Sequence, residues 1–139
     1  AMAANRNVSA AQMALAEQLL QSIGEVVRVD DEALIDAATA VSGSGPAYVF
    51  YFIEAMVEAG FAMGLPAEQA RRLAQETFAG AAALAMQSSE PPAMLREHVT
   101  SKGGTTHAAI SSLEGDAVKA AFVRALHAAR RRAEELGQA

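Results

Sequence analysis

The chain has 139 residues, a length for one domain with enough material for a core. Apolar residues make up 52% and aromatics only 5%, so alanine supplies much of the apolar content and favours close backbone packing of helices. A net charge of -5 argues against nucleic acid and anionic membrane as partners, and the lack of cysteine excludes a disulfide framework and thiol chemistry.

Ser9-Ala-Ala-Gln12 has the form of a capping box, so a helix is expected to open there, run to about Ile23 and end at Gly24. Glu25-Val-Val-Arg-Val29, rich in β-branched residues, reads as one short strand with no partner in the chain. From Asp31 onward the pattern is helical. Asp30 or Asp31 caps a helix to about Ala40, Ser42 to Gly45 interrupts it, and Pro46 suits the first turn of a long helix to about Met63. That helix carries Tyr48-Val-Phe-Tyr-Phe-Ile53, Ala55, Met56, Val57 and Phe61, with charge only at Glu54 and Glu58. Apolar nearly all round, it has to be buried. Two carboxylates one turn apart make it a poor membrane span.

Pro66 starts a further helix, with Ala70, Leu73, Ala74, Thr77, Phe78, Ala81, Leu84 and Ala85 on one face, and Gly80 is placed to allow close helix contact. Pro91 and Pro92 begin a short helix ending near His98. Another runs from about Thr105 to Leu113 and is broken by Gly115. Asp116 is expected to cap the last helix, whose apolar stripe is Val118, Ala121, Phe122, Ala125, Leu126, Ala129, Ala133 and Leu136. Such broad apolar faces in so short a chain point to burial against a second copy, the alternative being a self-sufficient bundle. No signal peptide is evident, and the expected setting is cytoplasmic.

Between the short helix and the next lies Val99-Thr-Ser-Lys-Gly-Gly-Thr-Thr106, and this segment carries the chemistry. Gly103 and Gly104 are expected to reach φ > 0 and to let a ligand approach the backbone closely. The first amides of the following helix have no intrahelical acceptor and favour an anion. Thr100, Ser101, Thr105 and Thr106 add neutral hydroxyls. The alternative is an ordinary turn with a threonine N-cap.

Other groups read as surface chemistry. His98, His107 and His127 do not pair at metal-ligand spacing, so no metal site is expected. Glu54 and Glu58 share a helix face and suit a subunit or domain junction better than catalysis. Arg130, Arg131 and Arg132 are offset by Glu134 and Glu135, as on a solvated helix end.

Val41-Ser-Gly-Ser-Gly-Pro-Ala-Tyr48 followed downstream by Val99-Thr-Ser-Lys-Gly-Gly-Thr-Thr106 resembles the C-terminal domain of pyrroline-5-carboxylate reductase. The resemblance runs from about Ser9 to Leu136 and takes in Gly64-Leu-Pro-Ala-Glu-Gln-Ala70 and Glu90-Pro-Pro-Ala-Met-Leu95. Lys102 stands where the family frequently has proline, a departure that bears on the stiffness of the loop. The family has an upstream Rossmann domain with a Gly-x-Gly-x-x-Gly turn. Gly43 and Gly45 lack the third glycine and the βαβ setting, so they are not that turn. The chain opens on Ala1-Met-Ala-Ala-Asn-Arg without such a unit, which leads to the expectation of a fragment lacking the cofactor domain.

The resemblance implies an all-α helical dimerisation bundle of about five to six helices over 31–139, preceded by a helix and strand in 1–30 left over from the Rossmann domain. It implies NAD(P)H-dependent reduction of 1-pyrroline-5-carboxylate to L-proline, the last step of proline biosynthesis, in a homodimer that can assemble further. NADP or NAD would be bound mainly by the upstream domain, so the chain alone is expected to be inactive. Ser101, Gly103, Gly104 and Thr105 would hold the substrate carboxylate, and Thr106, the implied catalytic residue, would hydrogen-bond the imine nitrogen. Ser42, Gly43, Ser44, Gly45 and Pro46 would lie near the reactive end of the cofactor. Two other readings stay open: a non-catalytic helical dimerisation module, and an all-α carboxylate-binding regulator.

Overall fold

A computed structural model describes residues 1–138, so Ala139, the last residue of the expected 31–139 span, lies outside the described residues. Seven α-helices and one π turn follow in chain order: α1 Ala10–Gln21, α2 Leu34–Ala38, the π turn Thr39–Gly43, α3 Gly45–Ala62, α4 Ala67–Gln87, α5 Pro92–His98, α6 Thr105–Gly115 and α7 Val118–Gly137. The all-α expectation holds. The chain divides into two compact units, one of Ala1–Gly45 with the stretch from Arg124 onward, the other of Pro46–Val123.

In the first unit the capping box forms as its residues dictate. The Ser9 hydroxyl accepts the Gln12 amide at 3.3 Å and the Gln12 side chain accepts the Ser9 amide at 2.8 Å. Helix α1 ends at Gln21, short of Ile23 and Gly24, because Ser22 closes it by donating its hydroxyl to the Leu19 carbonyl at 2.7 Å. The expected strand over 25–29 is corrected. It is a single parallel bridge between Met2 and Arg28, with the Met2 amide donating to Val27 at 2.9 Å and the Val29 amide donating to Met2 at 3.0 Å. The segment therefore has a partner within the chain. One residue of an otherwise irregular N-terminus supplies it, and one residue has no alternating pattern to read. Arg28 also pairs with Glu17 of α1, whose hydrogen bond and charge hold the guanidinium above its ordinary pKa.

Asp31 accepts the Ala33 amide at 3.0 Å on its carboxylate, and this turn delays α2 to Leu34. The expected interruption at Ser42 to Gly45 is not an open loop. The Ser44 amide reaches back to the Thr39 carbonyl at 2.8 Å, closing a π turn whose flanking residues keep right-handed helical backbone. Pro46 explains the width. It has no amide to donate, and in an unbroken α-helix its ring would strike the carbonyl four residues earlier, at Ser42. Helix α3 restarts with Pro46 in its first turn, where no donor is needed.

In the second unit α3 and α4 meet at small residues. A Cβ built on Gly60 would lie 3.1 Å from the Ala70 Cβ, and Ala70 and Ala74 are each only 2% exposed. The expected contact glycine, Gly80, has nothing within 4 Å of a built Cβ; Gly60 holds that role instead. Phe122 at the start of α7 stands edge-on to both Tyr48 and Phe52 of α3, with ring centroids 5.5 Å apart in each pair. The expectation that α3 is buried is corrected for the single chain. Gly60 is its only buried residue, while Phe50, Tyr51 and Phe61 are 67%, 68% and 64% exposed. Within one chain these rings stay uncovered, although the helix is apolar nearly all round. Among the described residues no helix is long and apolar enough to cross a membrane.

The junction of α6 and α7 also departs from expectation. Asp116 does not cap α7; it closes α6, its amide donating to the Ser112 carbonyl at 3.0 Å. Ala117 then takes φ 52, the left-handed position that ends many helices and usually belongs to glycine. Gly115 sits two places too early to fill it. Ala117→Gly should therefore stabilise the protein by about 0.5–1 kcal/mol, the relieved Cβ strain exceeding the added freedom of the unfolded chain. Denaturant unfolding measures it, and a lower midpoint for the variant would contradict the strain.

Candidate anion-binding turn

The C-terminal end of α5, the N-terminal end of α6 and the four-residue turn between them make up the candidate site. Pro91 in extended backbone and Pro92 in the first turn start α5. Arg96 and His98 lie in its last turn, where cations complement the exposed carbonyls. Thr100 then seals the helix end. Its amide donates to Glu97 at 2.9 Å and its hydroxyl to the Arg96 carbonyl at 2.6 Å. Thr100 thus drops out of the expected set of ligand hydroxyls, because its proton is engaged in closing α5.

The turn itself runs Ser101–Gly104, closed by the Gly104 amide donating to the Ser101 carbonyl at 2.9 Å. Gly103, third in the turn, adopts φ 76, as expected for a glycine in that position. Gly104 does not share it. Its φ of -81 and ψ of 175 are extended, so the expectation of positive φ at both glycines is corrected. What holds Gly104 small is proximity, since a Cβ there would meet the Ser101 carbonyl oxygen at 3.1 Å. The two glycines thus answer different constraints.

Gly104 is the N-cap of α6 and no side-chain hydrogen bond caps the helix. The threonine N-cap that stood as the alternative does not form. The first amides of α6, beginning with Thr105 and Thr106, have no partner within the helix, and the helix dipole favours negative charge there. Thr106 and Gly104 are half-buried while Ser101, Gly103 and Thr105 are exposed. Of the three hydroxyl residues, Thr106 is the most covered, and Ser101 and Thr105 are open to solvent. Chemically the site offers N–H donors and neutral hydroxyls to a small anion.

Polar side-chain contacts flank the turn. Arg96 of α5 reaches Glu114 of α6 at 3.6 Å, and His98 reaches Glu90, just ahead of α5, at 3.3 Å. Sequence reasoning missed Arg96 and Glu114, because nothing in either neighbourhood signals a partner across the turn. His107 and His127 are exposed. Glu54 and Glu58 line an open groove of about 710 Å³ with Phe50, Val57, Phe61 and Arg71, so they border apolar surface of α3 and α4. Arg130 pairs with Glu134 at 2.8 Å and Arg132 with Glu135 at 2.7 Å, as expected of a solvated helix end. The Ser42–Gly45 residues belong to the first unit and form the π turn and its exit.

The family model described as pyrroline-5-carboxylate reductase dimerisation matches residues 32–136. The pyrroline-5-carboxylate reductase of Pseudomonas aeruginosa is 50% identical over 135 residues, covering 97% of this chain and 50% of that protein. That of Synechocystis sp. is 45% identical over 138 residues, covering 99% and 51%. Among solved structures, a pyrroline-5-carboxylate reductase from Coxiella burnetii superposes with a TM-score of 0.91 at 42% identity, over 96% of this chain and 50% of that one. The Plasmodium falciparum pyrroline carboxylate reductase with NADP bound gives 0.87 at 32%, over 96% and 55%. The chain spans about half the length of the curated relatives it matches.

The turn geometry yields a stability test. Gly103→Val forces a β-branched residue to positive φ and should cost about 1–3 kcal/mol, whereas Gly103→Asn, which tolerates that region, should cost clearly less. Thermal unfolding of the two variants compares them, and equal losses would show that φ at 103 is not the constraint.

Proposed function

This chain belongs to the pyrroline-5-carboxylate reductase dimerisation family, and we propose that it is the subunit-joining and substrate-holding half of such a reductase. The enzyme would reduce 1-pyrroline-5-carboxylate to L-proline with NADPH or NADH. The observation that carries this reading is the uncapped start of α6 behind the Ser101–Gly104 turn, with the half-buried Thr106 in its first turn. It offers what a small ring bearing a carboxylate and an imine requires.

The reduced nicotinamide supplies the hydride. The described residues contain no strand and no βαβ unit that fits a dinucleotide, so a part of the enzyme outside this chain would hold the cofactor. The remaining work falls to this chain. The amides of Gly104 and of the α6 start lie where the helix dipole favours a carboxylate, and Ser101 and Thr105 add hydroxyls at its rim. Because the Gly104 amide is already closing the turn, the carboxylate would rest chiefly on the α6 amides from Thr105 onward. The Thr106 hydroxyl would hydrogen-bond the imine nitrogen. At its ordinary acidity it would orient that nitrogen and pass on a proton from water rather than act as a strong acid. Ser42, Gly43, Ser44, Gly45 and Pro46 would lie near the reactive end of the cofactor, which fits the habit of π turns to occur at functional sites.

The partner would be a second copy of the chain. Exposed Phe50, Tyr51 and Phe61 on α3 and exposed Leu73 and Leu84 on α4 leave an apolar surface that a homodimer would cover, and dimers can assemble further. The purified chain should then show a dimeric mass by light scattering at micromolar concentration and no oxidation of NADPH or NADH with pyrroline-5-carboxylate. A monomer, or turnover by the chain alone, would overturn the division of labour.

In the full-length reductase carrying this chain, Thr106→Ala should lower kcat and kcat/KM together, by roughly ten- to a hundredfold, because the lost hydrogen bond serves the transition state. Steady-state kinetics with varied pyrroline-5-carboxylate decide it. Unchanged kcat would remove Thr106 from the reaction, and an intact enzyme without any such turnover would remove the reductase reading.

A further inference from the structure

Arg96 occupies a position that the reaction as described does not use. Its carbonyl accepts the Thr100 hydroxyl at 2.6 Å, and its guanidinium stands 3.6 Å from Glu114. The first contact closes α5 immediately before the turn. The second crosses to the last turn of α6, the helix whose other end forms the anion site. One residue thus ties both helices that the Ser101–Gly104 turn joins. The turn needs such a tie, because Lys102 and Gly103 do not stiffen it, and α5 is only seven residues long.

We propose that Arg96 and Glu114 form a positioning pair that sets how far α6 stands from α5, and so where the α6 amides and Thr106 meet the substrate carboxylate and imine. The proposal rests on the assignment of the turn as the substrate site. Its effect falls first on how the carboxylate is held, read in KM, with a smaller fall in kcat as Thr106 shifts with the helix. Losing the pair removes no ligand group but lets α6 drift as a body, carrying its first amides and Thr106 with it, so the substrate is held less well while the cofactor is held as before. Arg96 and Glu114 are both well exposed, at 46% and 65%, so the effect is small and sensitive to salt.

The experiment uses the full-length reductase carrying this chain, with steady-state kinetics and thermal unfolding for four proteins: the parent, Arg96→Glu, Glu114→Arg and the double reversal. Each single reversal should raise KM for pyrroline-5-carboxylate by about two- to fivefold, the size expected for an exposed pair, with KM for NADPH nearly unchanged and only a small fall in the unfolding midpoint where Arg96→Glu removes a cation from the α5 C-terminus. The double reversal should restore KM to within about twofold of the parent, because the attraction is rebuilt with opposite sign. A single reversal with unchanged KM overturns the proposal. So does a double reversal no better than Arg96→Glu, which would assign the Arg96 charge to the substrate itself. Failure of the substrate-site assignment looks different: Thr106→Ala would then also leave the kinetics untouched.

Discussion

Helix α3 sets the terms on which the rest of the chain folds. It is apolar on nearly every side, and in the second unit Gly60 meets Ala70 of α4 while Tyr48 and Phe52 stand edge-on to Phe122, which still leaves much of its apolar surface exposed. Small residues let two helices approach closely, but they remove little apolar area per contact. Among the described residues no large side chain is fully buried. A chain with this composition has its stabilising surface pointing outward, and in the proposed dimer that surface becomes the core. Subunit joining and folding would then draw on the same side chains, as expected for interfaces that resemble a domain core cut in half.

The proposed substrate turn shows how a short segment divides constraints that its composition leaves merged. Two adjacent glycines suggest one flexible hinge. Instead Gly103 supplies positive φ, while Gly104 is extended and small because the Ser101 carbonyl is close. Four neighbouring hydroxyls suggest a uniform polar rim. Instead Thr100 seals α5, Thr106 is half-buried, and Ser101 and Thr105 are exposed. The π turn ahead of Pro46 follows the same logic, since one missing amide and one bulky ring widen the helix by a residue rather than ending it.

Local chemistry made much of this chain legible from the sequence alone. The Ser9–Gln12 capping box, the starts of α4 and α5 at Pro66 and Pro91-Pro92, the all-α class and the glycine turn before α6 all depend on groups a few residues apart. Such interactions form wherever the segment goes. Paired motifs in the right order also carried the family resemblance. What tertiary structure alone decided involves partners distant in sequence or choices between equivalent neighbours. Met2 bridges to Arg28, Gly60 rather than Gly80 meets Ala70, Arg96 finds Glu114, and Ala117 rather than Gly115 takes the left-handed position. Each depends on how elements are brought together in space or on where a helix happens to stop, and neither residue type nor periodicity encodes that. The exposed face of α3 is the clearest case: its pattern demands burial, but the pattern does not say whether the cover comes from this chain or from another.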